Sequence, residues 1–218
     1  PATFRSTIQD NHTIRTNEGD GGGFYVESAN TIVNLTDVLV TANTAADEGA
    51  GFYIQSNLAR VNLMRVDLTA NRAEDNGGGF YNASNGSIVN LDTVLIDGNR
   101  STTEHGGGFR NNGIVTGRLV TITNNSANNT VSGIANATLT NNLDLVGGGI
   151  YNSGTVTLED AVIDNNRAYS RGGGIFNATG GVVTITSNII RSSISNNVID
   201  QNSDQNDQQW RNYGNGGG

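Results

Sequence analysis

The sequence predicts an all-β chain wound into a right-handed parallel β-helix, a solenoid of three short strands per coil and about 28 residues per coil. Three observations carry this: glycine triplets at a near-constant interval, a recurring phrase whose apolar positions match, and a composition suited to short strands and frequent turns. The chain of 218 residues holds 30 Gly, 33 Asn and 1 Pro, with 15% charged residues. Gly, Asn, Ser and Thr supply turns, and interspersed Val, Ile and Leu supply strands. Disordered chains share the glycine content but do not space apolar residues periodically.

The triplets set the frame. Gly21–Gly23, Gly49-Ala50-Gly51, Gly77–Gly79, Gly106–Gly108, Gly147–Gly149 and Gly172–Gly174 begin 28, 28, 29, 41 and 25 residues apart. Repeats of this length read as a stack, because one unit cannot bury its apolar face alone. Glycine fits turns that need positive φ.

The second frame is the phrase TIVNLTDVLVTAN at 31–43, ARVNLMRVDLTAN at 59–71, SIVNLDTVLIDGN at 87–99 and GTVTLEDAVIDNN at 154–166. Aligned on Asn43, Asn71, Asn99 and Asn166, the apolar columns are Val33/Val61/Val89/Val156, Leu35/Leu63/Leu91/Leu158, Val38/Val66/Val94/Ala161 and Val40/Leu68/Ile96/Ile163. Apolar residues alternate within each half, which is strand period. A break such as Thr36-Asp37 shifts the alternation by one, which reads as a corner. The Asn column fits left-handed backbone and a ladder of stacked amides.

After each triplet comes another strand: Phe24-Tyr25, Phe52-Tyr53, Phe80-Tyr81, Phe109-Arg110, Ile150-Tyr151 and Ile175-Phe176. The near absence of Pro suits ladder strands, which need their N–H groups.

One β-helix domain over 1–218 is expected, with six to eight coils. Residues 124–146 read as an irregular coil or loop. Residues 186–213 lose the alternation and read as a long loop or fraying end, with 198–218 a loop or the start of a further coil. Trp210 and Tyr213 are expected to cover an exposed coil. Gly216–Gly218 reads as the opening of another repeat, so the chain is expected to be a piece of something longer or a unit that stacks end to end.

Net charge is −8, and all 12 basic residues are Arg. That balance argues against nucleic-acid binding, which rests on neutralising phosphates, and against docking on anionic lipid. Without Cys there are no disulfides or thiolate metal sites. No apolar run is long enough for a transmembrane helix.

The phrases GGGIYNSGTVTLEDAVIDNNRA (147–168) and GGGFYNASNGSIVNLDTVLIDGN (77–99) resemble the repeat of large bacterial right-handed β-helix surface proteins. They are similar to the repeats of chlamydial polymorphic membrane proteins and related autotransporter passengers. Those repeats favour Gly-Gly-Ala where this chain has Gly-Gly-Gly, so the resemblance is to the broader bacterial group. It covers nearly the whole chain, to about residue 197. It implies secretion and an extracellular or cell-surface location, with an adhesive or wall-associated role. Fold alone does not fix function.

The residue after each inward Phe or Ile forms an outward column: Tyr25, Tyr53, Tyr81, Arg110, Tyr151 and Phe176. Its plain role is stacking that stabilises the sheet. Its functional reading is an aromatic strip binding carbohydrate or another partner, through Tyr25, Tyr53, Tyr81, Tyr151 and Phe176. Acidic residues gather before the triplets: Glu18, Asp20, Asp47, Glu48, Glu74, Asp75 and Glu104. Asp20, Asp47, Glu48 and Asp75 form the candidate metal group, with Ca²⁺ the ion that oxygen ligands would favour. The plain reading is a solvated acidic turn, and no other cofactor is implied. His12 and His105 are too far apart to act together and read as solvated turn residues. Asn-x-Ser/Thr triplets such as Asn34-Leu35-Thr36 follow from composition.

The expected function is a non-catalytic extracellular or cell-surface structural and adhesive solenoid, a segment of a larger secreted protein or filament. Its partners would be surface polysaccharide or another copy of itself. The alternative is a polysaccharide lyase or hydrolase. It would need a local acid–base group, and Arg65 with Asp37 and Asp67 is the best available. An ice-binding face would need regular outward Thr ranks, and Thr41, Thr69 and Thr123 alternate with Asp97 and Asp164.

Overall fold

Phe24, Phe52, Phe80 and Phe109 stack with nearly parallel rings, their centroids 4.8, 4.7 and 4.6 Å apart. Hydrogen-bonded strands are also ~4.8 Å apart, so the ring stack and the backbone ladder share one pitch. The computed structural model describes residues 6–15, 18–128 and 144–199, which form strands and turns without a helix. Every strand pairing is parallel, and each joins a residue to its equivalent in the next repeat. The described residues are a β-solenoid of about six coils, closed by three sheets.

The first sheet follows the triplets. Its six strands are Phe24–Val26, Phe52–Ile54, Phe80–Asn82, Phe109–Asn111, Ile150–Asn152 and Ile175–Asn177. The second carries the recurring phrase. Its halves are separate strands in one coil, Ile32–Thr36 and Val38–Thr41, and fuse into Ile88–Asp97 and Ile114–Thr123 in others. The expected corner is therefore a bend within one sheet, made at residues with φ of 53–57°: Asp37, Arg65, Thr93, Leu119 and Asp160. The third sheet consists of two-residue strands, from Thr44–Ala45 to Val198–Ile199. Such strands are too short to show a period in the sequence.

The aligned apolar columns point inward. Val61, Leu63, Val66 and Leu68 are buried, as are Val89, Leu91, Val94 and Ile96. Burying each such side chain contributes about 1.5–3 kcal/mol. Gly117 interrupts the Leu63/Leu91/Leu158 column. A Cβ there would lie 2.8 Å from Val120 and 2.9 Å from Leu158, so these neighbours occupy the space a leucine would need.

The Asn column runs further than the recurring phrase. It comprises Asn11, Asn43, Asn71, Asn99, Asn125, Asn166 and Asn197, joined by side-chain hydrogen bonds of 2.8–3.0 Å. The left-handed residue is not the column Asn, as expected, but the one before it. Asp10, Ala42, Ala70, Gly98, Asn124, Asn165 and Asn196 have φ of 51–63°. The turn falls there because the next residue must aim both its amide and its backbone N–H at the neighbouring Asn.

The interval of 41 residues adds no rung. Ser126-Ala127 pairs directly with Arg167-Ala168, and Phe109 with Ile150. Residues 129–143 of the expected irregular stretch lie outside the described residues. At the other end the coil continues past the expected limit of order. Ser193–Ser195 pairs with Val162–Asp164, and Val198-Ile199 with Arg167-Ala168. The alternation is hidden there because Ser187–Arg191 widens the corner. Asp160 holds that widened turn by accepting the backbone N–H groups of Asn188, Ile189 and Ile190 at 2.6–3.2 Å. Trp210, Tyr213 and Gly216–Gly218 lie outside the described residues.

Candidate functional site

The aromatic column forms, but its faces meet one another. Tyr25 and Tyr53 stack at 5.4 Å, and Tyr53 and Tyr81 meet edge to face at the same distance. The Arg110 guanidinium lies between the rings of Tyr81 and Tyr151, 5.0 and 4.9 Å from their centroids. Tyr151 stacks on Phe176 at 5.4 Å, and the Arg171 guanidinium lies 4.9 Å from the Phe176 ring centre. Tyr25 is 40% exposed, but Tyr53 and Tyr81 are only 7% and 6% exposed. Strand alternation points these residues outward, and their neighbours then cover them. Burial and the nearby Glu48 carboxylate push the Tyr53 hydroxyl up.

His105 belongs to this column and is not a solvated turn residue as expected. Its ring stacks on Tyr151 at 4.8 Å, and Glu104 approaches its Nε2 at 3.5 Å. Burial, then the Arg110 charge, push its pKa down to about 4. Its Nδ1 and the Arg110 Nε are buried without hydrogen-bond partners. The sequence carries no signal for this, since the residue before the triplet varies from coil to coil: Asp20, Glu48, Asn76, His105, Val146 and Arg171.

The acidic turns stack beside the column. The Glu48 backbone N–H donates to Asp20 Oδ1 at 3.2 Å, and the Asn76 amide donates to Glu48 Oε1 at 2.7 Å. Burial, a hydrogen bond that the protonated Asp47 carboxyl donates to Asp75, and the charges of Asp20, Glu48 and Asp75 push Asp47 up to about 7. Asp75 also accepts from the Thr103 hydroxyl. Among the described residues no group of three or more acidic or histidine side chains is placed to hold a metal ion. Asp20, Asp47, Glu48 and Asp75 face amides, a hydroxyl and one another.

Arg65, the candidate base of an eliminating enzyme, is fixed in a bidentate pair. Its Nε and an Nη each lie 2.7 Å from an oxygen of Asp37. The pair raises the guanidinium further above its ordinary value, which is the wrong direction for a base.

One surface was not singled out from the sequence. An open groove of about 550 Å³ runs over the first half of the phrase sheet. One wall is the rank Asn62, Asn90, Thr116 and Thr157; the other is Met64, Asp92, Arg118, Glu159 and Thr186. The signal was present as the outward position between the inward Val and Leu of each phrase.

Residues 160–178 match the Chlamydia polymorphic membrane protein repeat. The matched stretch runs from the Asp160 corner through Val162–Asp164, the ladder residue Asn166 and the triplet Gly172–Gly174 to Ile175–Asn177. It therefore crosses all three sheets. The repeat and the stacked coils together fit a bacterial β-helix surface repeat protein. No curated protein and no solved structure matches the chain.

Proposed function

We propose that this chain is a non-catalytic structural and adhesive rod, part of a bacterial surface protein that works outside the cell. The observation that carries this reading is the uninterrupted Asn ladder from Asn11 to Asn197. From Asn43 to Asn166 each amide donates once to the next Asn and once to a carbonyl of the preceding coil, at 2.8–3.0 Å. A ladder with both amide donors satisfied makes the coils a stiff body suited to holding a binding face away from a cell. The match to a membrane-protein repeat supports the surface location, and the bidentate Arg65–Asp37 pair weighs against catalysis.

Antibodies against the folded chain, applied to intact and to permeabilised source cells, test the location. Labelling of intact cells that is lost after protease shaving is the expected result. Labelling only after permeabilisation would overturn the reading.

A further inference from the structure

We infer that the groove over the phrase sheet binds an extended, neutral polysaccharide lying parallel to the solenoid axis; this rests on the surface reading above and names its ligand class. The groove spans five coils, from Asn62 to Thr186. Its chemistry repeats at every coil, a spacing of ~4.8 Å. A ligand that satisfies successive coils must therefore be a polymer of similar repeat.

The amide wall has hydrogen-bonding capacity left over. Asn90 donates to Asn62 Oδ1 and Asn62 donates to Asn34 Oδ1, each at 2.7 Å. Thr116 donates its hydroxyl to Asn90 Oδ1 at 2.7 Å. An Asn side chain has two donors and two acceptor sites. Asn62 and Asn90 each retain one N–H and one lone pair, and the Thr116 oxygen retains its lone pairs. Donor and acceptor side by side at each coil match the vicinal hydroxyls of a sugar, which both give and receive.

Other linear polymers fit less well. An extended peptide repeats at ~3.3 Å per residue and would lose register within two coils. Polyanions need uncompensated cations. The Arg118 charge is committed to Asp92 at 2.8 Å, and Glu159 follows in the same rank. Pyranose rings in an extended glycan advance by close to one coil each. Met64, 39% exposed, offers an apolar surface at one end for a ring face.

Calorimetric titration of the purified chain tests this, with chitohexaose, cellohexaose, chitobiose and polygalacturonate as probes. One of the neutral hexasaccharides is expected to bind, and chitobiose and polygalacturonate to bind at least tenfold more weakly. Asn90→Leu and Thr157→Val are expected to weaken the hexasaccharide at least tenfold; Thr157→Val has no inter-coil side-chain bond to break, which guards against a folding artefact. Tyr151→Ala, in the aromatic column, is expected to leave affinity unchanged. Absence of binding by both hexasaccharides, or a loss seen only with Tyr151→Ala, overturns the inference. Surface labelling without glycan binding defeats this inference alone. Binding accompanied by release of new reducing ends upholds the groove and defeats the non-catalytic reading.

Discussion

Asn71 donates one amide N–H to Asn99 Oδ1 at 2.9 Å and the other to the Val40 carbonyl at 3.0 Å. Asn99 Oδ1 also accepts the backbone N–H of Asn71 at 3.0 Å. One buried side chain thus serves three polar groups of the adjoining coil. Asn99→Leu should cost about 3 kcal/mol or more, because it strands the Asn71 N–H groups and the Leu68 carbonyl without water. Asn62→Ala, in the half-exposed ladder, should cost less than about 1 kcal/mol, since water replaces the lost bonds. Urea unfolding of the two variants measures the contrast.

The triplet glycines separate two demands. The first of each triplet has positive φ, as at Gly77, but Gly79 does not. A Cβ on Gly79 would lie 2.4 Å from the Gly108 carbonyl oxygen of the next coil. Gly79→Ala must push two coils apart and should lower stability by about 2 kcal/mol or more, the scale of overpacking a tight interior. Gly98→Ala meets nothing within 4 Å, and Ala42 and Ala70 already occupy its left-handed position. It should cost only about 1 kcal/mol. Thermal melting of both variants distinguishes close approach from φ strain.

Much of this was legible in the sequence. The triplet interval fixed the pairing of Phe52 with Phe80, and the alternation in TIVNLTDVLVTAN fixed which side chains point inward. What escaped depends on neighbours in space. Tyr53 is outward by alternation yet covered by the rings on either side. His105 takes its environment from Tyr151 and Arg110, residues of other strands. The two-residue strands hold their place by pairing between coils, which local pattern does not express.

Burial of Ile96 and Leu63 gives a direct check on register. Both are almost fully buried within the same core cluster. Ile96→Asp or Leu63→Asp places an unpaired carboxylate there, at a cost of several kcal/mol. Loss of soluble, cooperatively melting protein is expected. A well-folded Ile96→Asp variant would show that the inward face is wrongly assigned.

Stability should respond to pH in two opposed ways. Asp47 is raised to about 7 by burial and its acidic neighbours. The folded chain therefore binds a proton more tightly than the unfolded chain between about pH 7 and 4, and stability falls as pH rises through that window. His105 is lowered to about 4 by burial and by Arg110. There the unfolded chain binds the proton more tightly, so stability falls as pH drops from about 6.5 to 4. Melting temperature should rise as pH falls from about 7 to about 6.5, where Asp47 acts alone, and then flatten. Asp47→Asn should remove the rise, and His105→Gln should let it continue to lower pH. An unchanged profile in Asp47→Asn would show that the acidic turn is fully solvated.

Elimination on a uronate polymer needs a base that takes a proton from carbon and a cation that stabilises the carboxylate beside it. Arg65 has both Nε and an Nη engaged with Asp37, and that pairing holds its proton more tightly. Among the described residues no acidic or histidine group is placed to hold a metal ion that could take the second role. Hydrolysis would need two carboxyls facing each other across a scissile bond. Among the described residues Asp47 and Asp75 are instead hydrogen-bonded to each other. Incubation with pectin, alginate and chitin oligosaccharides should therefore give no unsaturated products and no new reducing ends. Arg65→Ala should then remove only a surface ion pair and leave thermal stability nearly unchanged. Product formation lost in both Arg65→Ala and Asp37→Asn would establish that the pair opens in the bound state and that the chain is an enzyme.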